Sequence, residues 1–302
     1  MSPSARRLGA PIALLLALSA AAALAGCSAD IATPTNRYAV VIGIQDYQSP
    51  SINDLQYPEN DANELAAALS AGGWQVADSL LSSAATYAAI RSSIQTTLAG
   101  LVGSDENATV LLYYSGHGNQ DTGDLVPYDT MDASKLIPPS VLSSWLDALP
   151  CKNKILILDS CYSGNFVIAG DSIDASPQDS NSSSGTLEDS LLETAVGNLS
   201  ELIAASLESS GAPSVLAISA AGSADLSYET GAVSNGVFTY YLLKAAASGD
   251  ANGDGYVTAT EAFAYAKSCI KAYWNSVNAA SYAAFLPHIS GGTGDLVLYV
   301  NK

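Results

Sequence analysis

TVLLYYSGHG (Thr109–Gly118) and KILILDSCYSG (Lys154–Gly164) carry one design twice: an apolar, β-branched run without polar alternation, then a turn of glycine and small polar residues. Unbroken runs of this kind suit strands covered on both faces. YAVVIGI (Tyr38–Ile44), SVLAIS (Ser214–Ser219) and DLVLYV (Asp295–Val300) read the same way, with a shorter strand near Trp74–Leu80. Between them lie helical patterns. Asn60–Leu69 places Ala62, Leu65, Ala66 and Leu69 at helical spacing, with Asn60 or Asp61 positioned to cap it, and Gly72-Gly73 ends it. Further helices are expected over Tyr87–Leu101, Pro139–Leu149, Gly236–Ala247 and Thr260–Tyr273. Strands alternating with helices predict an α/β fold whose mostly parallel central sheet is layered between helices.

Both glycine-bearing turns should then lie at carboxyl ends of parallel strands, the edge where open α/β sheets bind ligands. They bring together an imidazole, His117, and a thiol, Cys161. An isolated thiol with a pKa of about 8.5 is mostly protonated at neutral pH, and a nearby imidazole changes that. The sequence holds two histidines. His117 sits in the glycine turn, whereas His288 follows Pro287 without comparable company and reads as structural or superficial.

YAVVIGI, YYSGHG, LVPYDT and LILDSCYSG, in this order, resemble the caspase-like cysteine peptidases, above all metacaspases and paracaspases. The resemblance implies a three-layer α/β/α sandwich over residues 37–300. A large part (37–169) and a small part (213–300) would flank a Ser-rich acidic insert, 170–212, whose half Thr186–Ser209 has amphipathic helical spacing. It implies His117 as base and Cys161 as nucleophile, with the N–H groups of Gly118 and Cys161 as oxyanion hole. The two residues are 44 apart, near the roughly 50 typical of caspases. It further implies peptide or protein substrates, no cofactor for catalysis, and an aspartate, Asp159, that holds a basic side chain. Caspases proper, which cut after Asp, have Gln-Ala-Cys where this chain has Asp-Ser-Cys, so cleavage after Arg or Lys is expected. Asp46 and Glu229 are further pocket candidates. No Lys or Arg occurs between Lys154 and Lys244, so a basic-specific enzyme would not cut its own insert. A binding module that keeps the scaffold without activity, or another thiol chemistry such as amide or ester transfer, is the alternative.

Asp250-Ala-Asn252-Gly-Asp254-Gly255-Tyr256-Val-Thr258-Ala-Thr-Glu261 fits an EF-hand calcium loop. Asp250, Asn252, Asp254, Thr258 and Glu261 would offer side-chain oxygens and Tyr256 its carbonyl, with Gly255 making the sharp turn. Possible Ca²⁺ there would brace the rear helices.

Upstream, Arg6 and Arg7 precede the apolar run Ile12–Leu24 and Leu24-Ala25-Gly26-Cys27. This reads as a lipoprotein export signal, residues 1–26, leaving Cys27 lipidated on a tether, 27–36. A plain cleaved signal with a chance cysteine is the alternative. Either way the expected location is extracytoplasmic, membrane-anchored in the lipidated case, in a bacterial cell envelope. Three cysteines then remain, which is no disulfide framework. Sequence alone leaves a Cys151–Cys269 bridge open, with Cys161 the odd thiol. The net charge of −18 becomes about −20 once Arg6 and Arg7 leave, which disfavours nucleic acid and anionic membrane as partners.

Overall fold

The computed structural model describes residues 36–119, 122–161, 215–220, 227–278, 283–292 and 296–301, with Cys161 and Ser290 described by their main chain. The expected leader, Cys27, nearly all of the tether and the whole of the insert lie outside these residues.

A central sheet is built from β1 (Arg37–Gly43), β2 (Gln75–Leu81), β3 (Thr109–His117), β4 (Asn153–Cys161), β5 (Val215–Ser219) and β9 (His288–Gly291), in the order β2-β1-β3-β4-β5-β9. The first five run parallel and β9 closes the edge antiparallel to β5. Period-two alternation sorts each strand between two cores. Val40, Ile42, Val110, Leu112, Leu156 and Leu158 face Ile90, Ile94, Leu98, Leu142 and Trp145 from helices α2 (Tyr87–Ser92, continued by a wider π-type turn over Ser93–Leu98 and α3, Ala99–Val102) and α4 (Pro139–Asp147). Ala39, Val41, Leu111, Tyr113, Ile155 and Ile157 face Leu65, Leu69, Phe238, Leu242 and Phe263 from α1 (Pro58–Ala71), α5 (Val237–Ser248) and α6 (Ala259–Cys269). The middle strands β1, β3, β4 and β5 are therefore covered on both faces, which explains why their centres lack polar residues. Each fully buried Ile or Leu contributes about 1.5–3 kcal/mol.

Three expectations change in detail. Helix α1 begins at Pro58, whose fixed φ suits the first turn, and its N-cap Tyr57 makes no side-chain cap. Asp61 therefore does not cap the helix; it is buried. The expected last strand is β10 (Val297–Val300), which pairs antiparallel with β8 (Tyr256–Thr258) outside the central sheet. The sixth sheet strand is β9, whose His288 is half-buried opposite Ser219. A two-stranded ribbon, β6 (Glu229–Thr230) with β7 (Asn235–Gly236), leads into α5.

Helix α1 packs on β1 through Gly43: a Cβ there would meet the Pro58 carbonyl and stand 2.8 Å from the Ala62 Cβ. Main-chain obstacles cannot rotate away. Gly43→Ala is expected to destabilise the fold by about 2 kcal/mol or more, seen as a lower denaturant midpoint with an unchanged slope. An unshifted midpoint would show that α1 tolerates displacement.

Candidate active site

Strand β1 lies between β2 and β3, so the connections leaving β1 and β3 part at their carboxyl ends and open a crevice there. His117 and Cys161 are the last residues of β3 and β4 and are direct register partners. Parallel neighbours run about 4.8 Å apart, so the two main chains meet at one sheet edge.

His117 is wholly buried. Its Nε2 lies 2.7 Å from the carbonyl oxygen of Asn53. A carbonyl can only accept, so Nε2 carries the proton and Nδ1 is the basic nitrogen of the neutral ring. Burial pushes the imidazole down to about pKa 4, against the opposing pull of the Asn53 carbonyl and the Asp54 charge. At neutral pH the ring is thus an unprotonated base. Gly118 forms a bridge with Leu125, which fixes the chain just beyond His117.

Beside this edge a small open cleft is lined by Asp61, Ser115, Asp159, Ser227, Glu229 and Gly236, among others. Asp159 accepts from the Ser227 hydroxyl at 2.7 Å on Oδ1, and from the Thr239 hydroxyl at 2.6 Å and N–H at 3.2 Å on Oδ2. Asp61 accepts from Ser115 Oγ and Gly236 N–H, each at 2.9 Å. Glu229 accepts from the Gln56 N–H at 2.9 and 3.1 Å and from the Tyr57 N–H at 3.0 Å. Gly236 lets the two aspartates converge, since a Cβ there would stand 2.5 Å from Asp159 Oδ2 and 3.0 Å from Asp61 Oδ2. No Lys, Arg or His is among the described lining residues. Burial raises Asp61 well above the usual carboxylate range and the nearby Asp159 charge adds to it; burial also raises Asp159 and Glu229. Such a site gains most from an incoming cation that pairs with the acids.

Asp159 and Glu229 therefore line the cleft, whereas Asp46 is exposed and its N–H binds Ser82 Oγ at 3.2 Å. Asp61 is the residue that sequence reasoning missed. Its signal was available: it shares the buried face of α1 with Leu65 and Leu69, where a lone carboxylate needs a reason.

In the expected calcium loop, Asp250 Oδ1 takes the N–H groups of Gly253 and Asp254 at 2.7 and 3.1 Å, and its Oδ2 that of Gly255 at 3.0 Å. Asn252 and Asp254 accept from the N–H groups of Asp254 and Tyr256. Glu261 closes a capping box with Thr258 at the start of α6. Among the described residues no group of three or more His, Cys, Asp or Glu side chains is gathered as a metal-ligand set. Cys151 and Cys269 are both free thiols, so the bridge left open by sequence is not formed.

Because Asp61 is easier to protonate folded than unfolded, its contribution favours folding at low pH and is lost as pH rises above about 4. An amide at this position can still accept the Gly236 N–H on its oxygen and donate from its nitrogen to Ser115 Oγ. Asp61→Asn is thus expected to resist denaturant better than wild type at pH 7, the advantage shrinking towards pH 4; comparing the two chains cancels the opposite contribution of His117. A variant less stable at pH 7 would contradict the assignment.

A family model described as Caspase domain matches residues 36–276. Among curated proteins, no relative matches the sequence. The structure is similar to the crystal structure of caspase-1 from Spodoptera frugiperda, with a TM-score of 0.56 and 15% identity over 90% of this chain and 92% of that one. It is also similar to a structure of pro-sf-caspase-1, with a TM-score of 0.50 and 14% identity over 87% and 89%. These structural likenesses bear on the fold, and the family match spans most of the sequence. The chain, with its mostly parallel sheet flanked by helices, belongs to the caspase-domain family of cysteine peptidases, which act on proteins or peptides and need no cofactor for catalysis.

Proposed function

We propose that the protein is an extracytoplasmic cysteine endopeptidase that uses Cys161 and His117 and cleaves after Arg or Lys. The observation that carries this reading is the register pairing of His117 with Cys161 beside an acidic cleft to which Asp159, two residues before the cysteine, contributes. His117 Nδ1 takes the thiol proton, and the thiolate attacks the scissile carbonyl carbon. The N–H groups of Gly118 and Cys161 receive the oxyanion that forms. As the C–N bond breaks, the imidazolium gives its proton to the leaving amine, leaving a thioester on Cys161. Water then attacks the thioester, His117 accepts its proton, and the thiol is restored as the carboxylic acid departs. Asp61, Asp159 and Glu229 hold the basic side chain.

Two further parts of this reading rest on sequence motifs. In the loop from Asp250 to Glu261, the side chains of Asp250, Asn252, Asp254, Thr258 and Glu261 and the carbonyl of Tyr256 would hold Ca²⁺, which would brace α5 against α6. Cys27 carries a lipid that holds the protein to the membrane.

Residues 28–302 should hydrolyse fluorogenic peptides ending in Arg or Lys and spare those ending in Asp. Cys161→Ala should abolish turnover, while Asp159→Asn should raise KM by about tenfold or more. No turnover of any peptide would favour the inactive binding module, and turnover of ester or acyl-transfer substrates alone the other thiol chemistry. In the same preparation, millimolar Ca²⁺ should raise the melting temperature above that in chelator; an equal temperature would remove the calcium site. In the full chain, Cys27→Ala should move the protein from the membrane fraction to the soluble one, and retention there would refute the lipid anchor.

A further inference from the structure

One loop grips His117 at three points. It runs from Gln45 to Leu55, whose N–H closes its base on the Gln45 carbonyl at 2.9 Å. Asn53 supplies the carbonyl that binds Nε2. Tyr47, buried in the same loop, accepts the His117 main-chain N–H on its hydroxyl at 2.8 Å and lays its ring against the imidazole, with centroids 4.9 Å apart and planes tilted by 30°. The loop is itself anchored. The Tyr47 N–H donates to Asp54 Oδ1 at 3.0 Å, and Ser82 Oγ accepts the N–H groups of Gln45 and Asp46 while donating to Glu59. The fit is close: a Cβ at Gly116 would stand 3.0 Å from the Tyr47 hydroxyl.

We propose that Tyr47 is a positioning residue for the peptidase reaction, its hydroxyl fixing the end of β3 and its ring fixing and shielding the His117 imidazole; this rests on the Cys161–His117 reading above. The hydroxyl sets the main chain from which the imidazole and the next N–H, that of Gly118, project. Small displacements of reacting groups lower rates steeply. Tyr47 is not among the residues lining the acidic cleft, so its effect belongs to turnover rather than to substrate binding. The ring also covers one side of the imidazole, and burial is the main reason that His117 stays neutral.

Tyr47→Phe keeps the ring and loses the hydroxyl; it is expected to lower kcat about tenfold with KM within twofold of wild type. The second readout needs no activity. His117 and His288 are the chain's two histidines, so ring-proton NMR resolves His117 against an internal reference. In a Cys161→Ala background, which removes the neighbouring thiol and leaves Asp54 as the charged group acting on the ring, His117 should titrate near pH 4 with Tyr47 or Phe at position 47. With Tyr47→Ala it should move upward by about one unit or more, because water reaches the imidazolium. A Tyr47→Phe kcat within twofold of wild type, a change confined to KM, or an unmoved His117 titration in Tyr47→Ala would overturn the proposal. If wild type turns over no peptide, the peptidase reading falls by itself and the titration alone decides the role of Tyr47.

Discussion

The in-register parallel pairing of β3 with β4, from Thr109–Asn153 to His117–Cys161, is the constraint on which the rest of the site depends. Side-chain alternation has a period of two, so a slip of one residue would turn the inner residues of one strand to the opposite core. The two dry cores therefore hold the register, and the register sets which residues share the sheet edge. The same ladder sets Ser115 opposite Asp159, and Ser115 Oγ binds Asp61 from the helix below. Histidine, cysteine and acidic cleft are thus successive rungs of one pairing.

Burial acts on this edge in two senses. It disfavours charge on every group, and so drives the imidazole towards its neutral, basic form and the carboxyls towards their protonated form. For the imidazole this is useful, since a neutral ring can accept a proton. For the acids it is an unmet demand. The hydrogen bonds from Thr239 and Ser227 offset part of the desolvation of Asp159, yet two aspartates converge across Gly236 without a cation among the described lining residues. On the proposed reading, an incoming basic side chain would stabilise these acids in their charged form.

The layered fold was legible because both faces of the sheet are covered: a strand such as Ile155–Leu158 must be apolar throughout, and such runs stand out from amphipathic helices. The meeting of His117 and Cys161 was legible because each closes such a run. Asp61 was legible only in part: its spacing from Leu65 and Leu69 puts it on the buried face of α1, but near a helix start an aspartate is ordinarily a cap, and its place in the cleft is set by the packing of α1 against β3 and β7. Tyr47 was not legible, because its role depends on a non-local loop path of 70 residues' separation from His117. Likewise β9 escaped notice: HISG is short and ends in glycines, and a strand at a sheet edge need not be uniformly apolar. Propensity gave β10 correctly as a strand, but its partner, β8, is set by tertiary contact.

The segment after β1 joins the two halves of the site. Tyr47 and Asn53 hold His117, Gln56 and Tyr57 hold Glu229 through their N–H groups, and Pro58 opens the helix whose first turn presents Asp61. No hinge glycine interrupts residues 44–61, and the loop is pinned at Ser82, at Tyr128 and across its own base. The acidic cleft and the carbonyl that orients the imidazole are therefore held by one short backbone, through main-chain hydrogen bonds rather than through the cores beneath them.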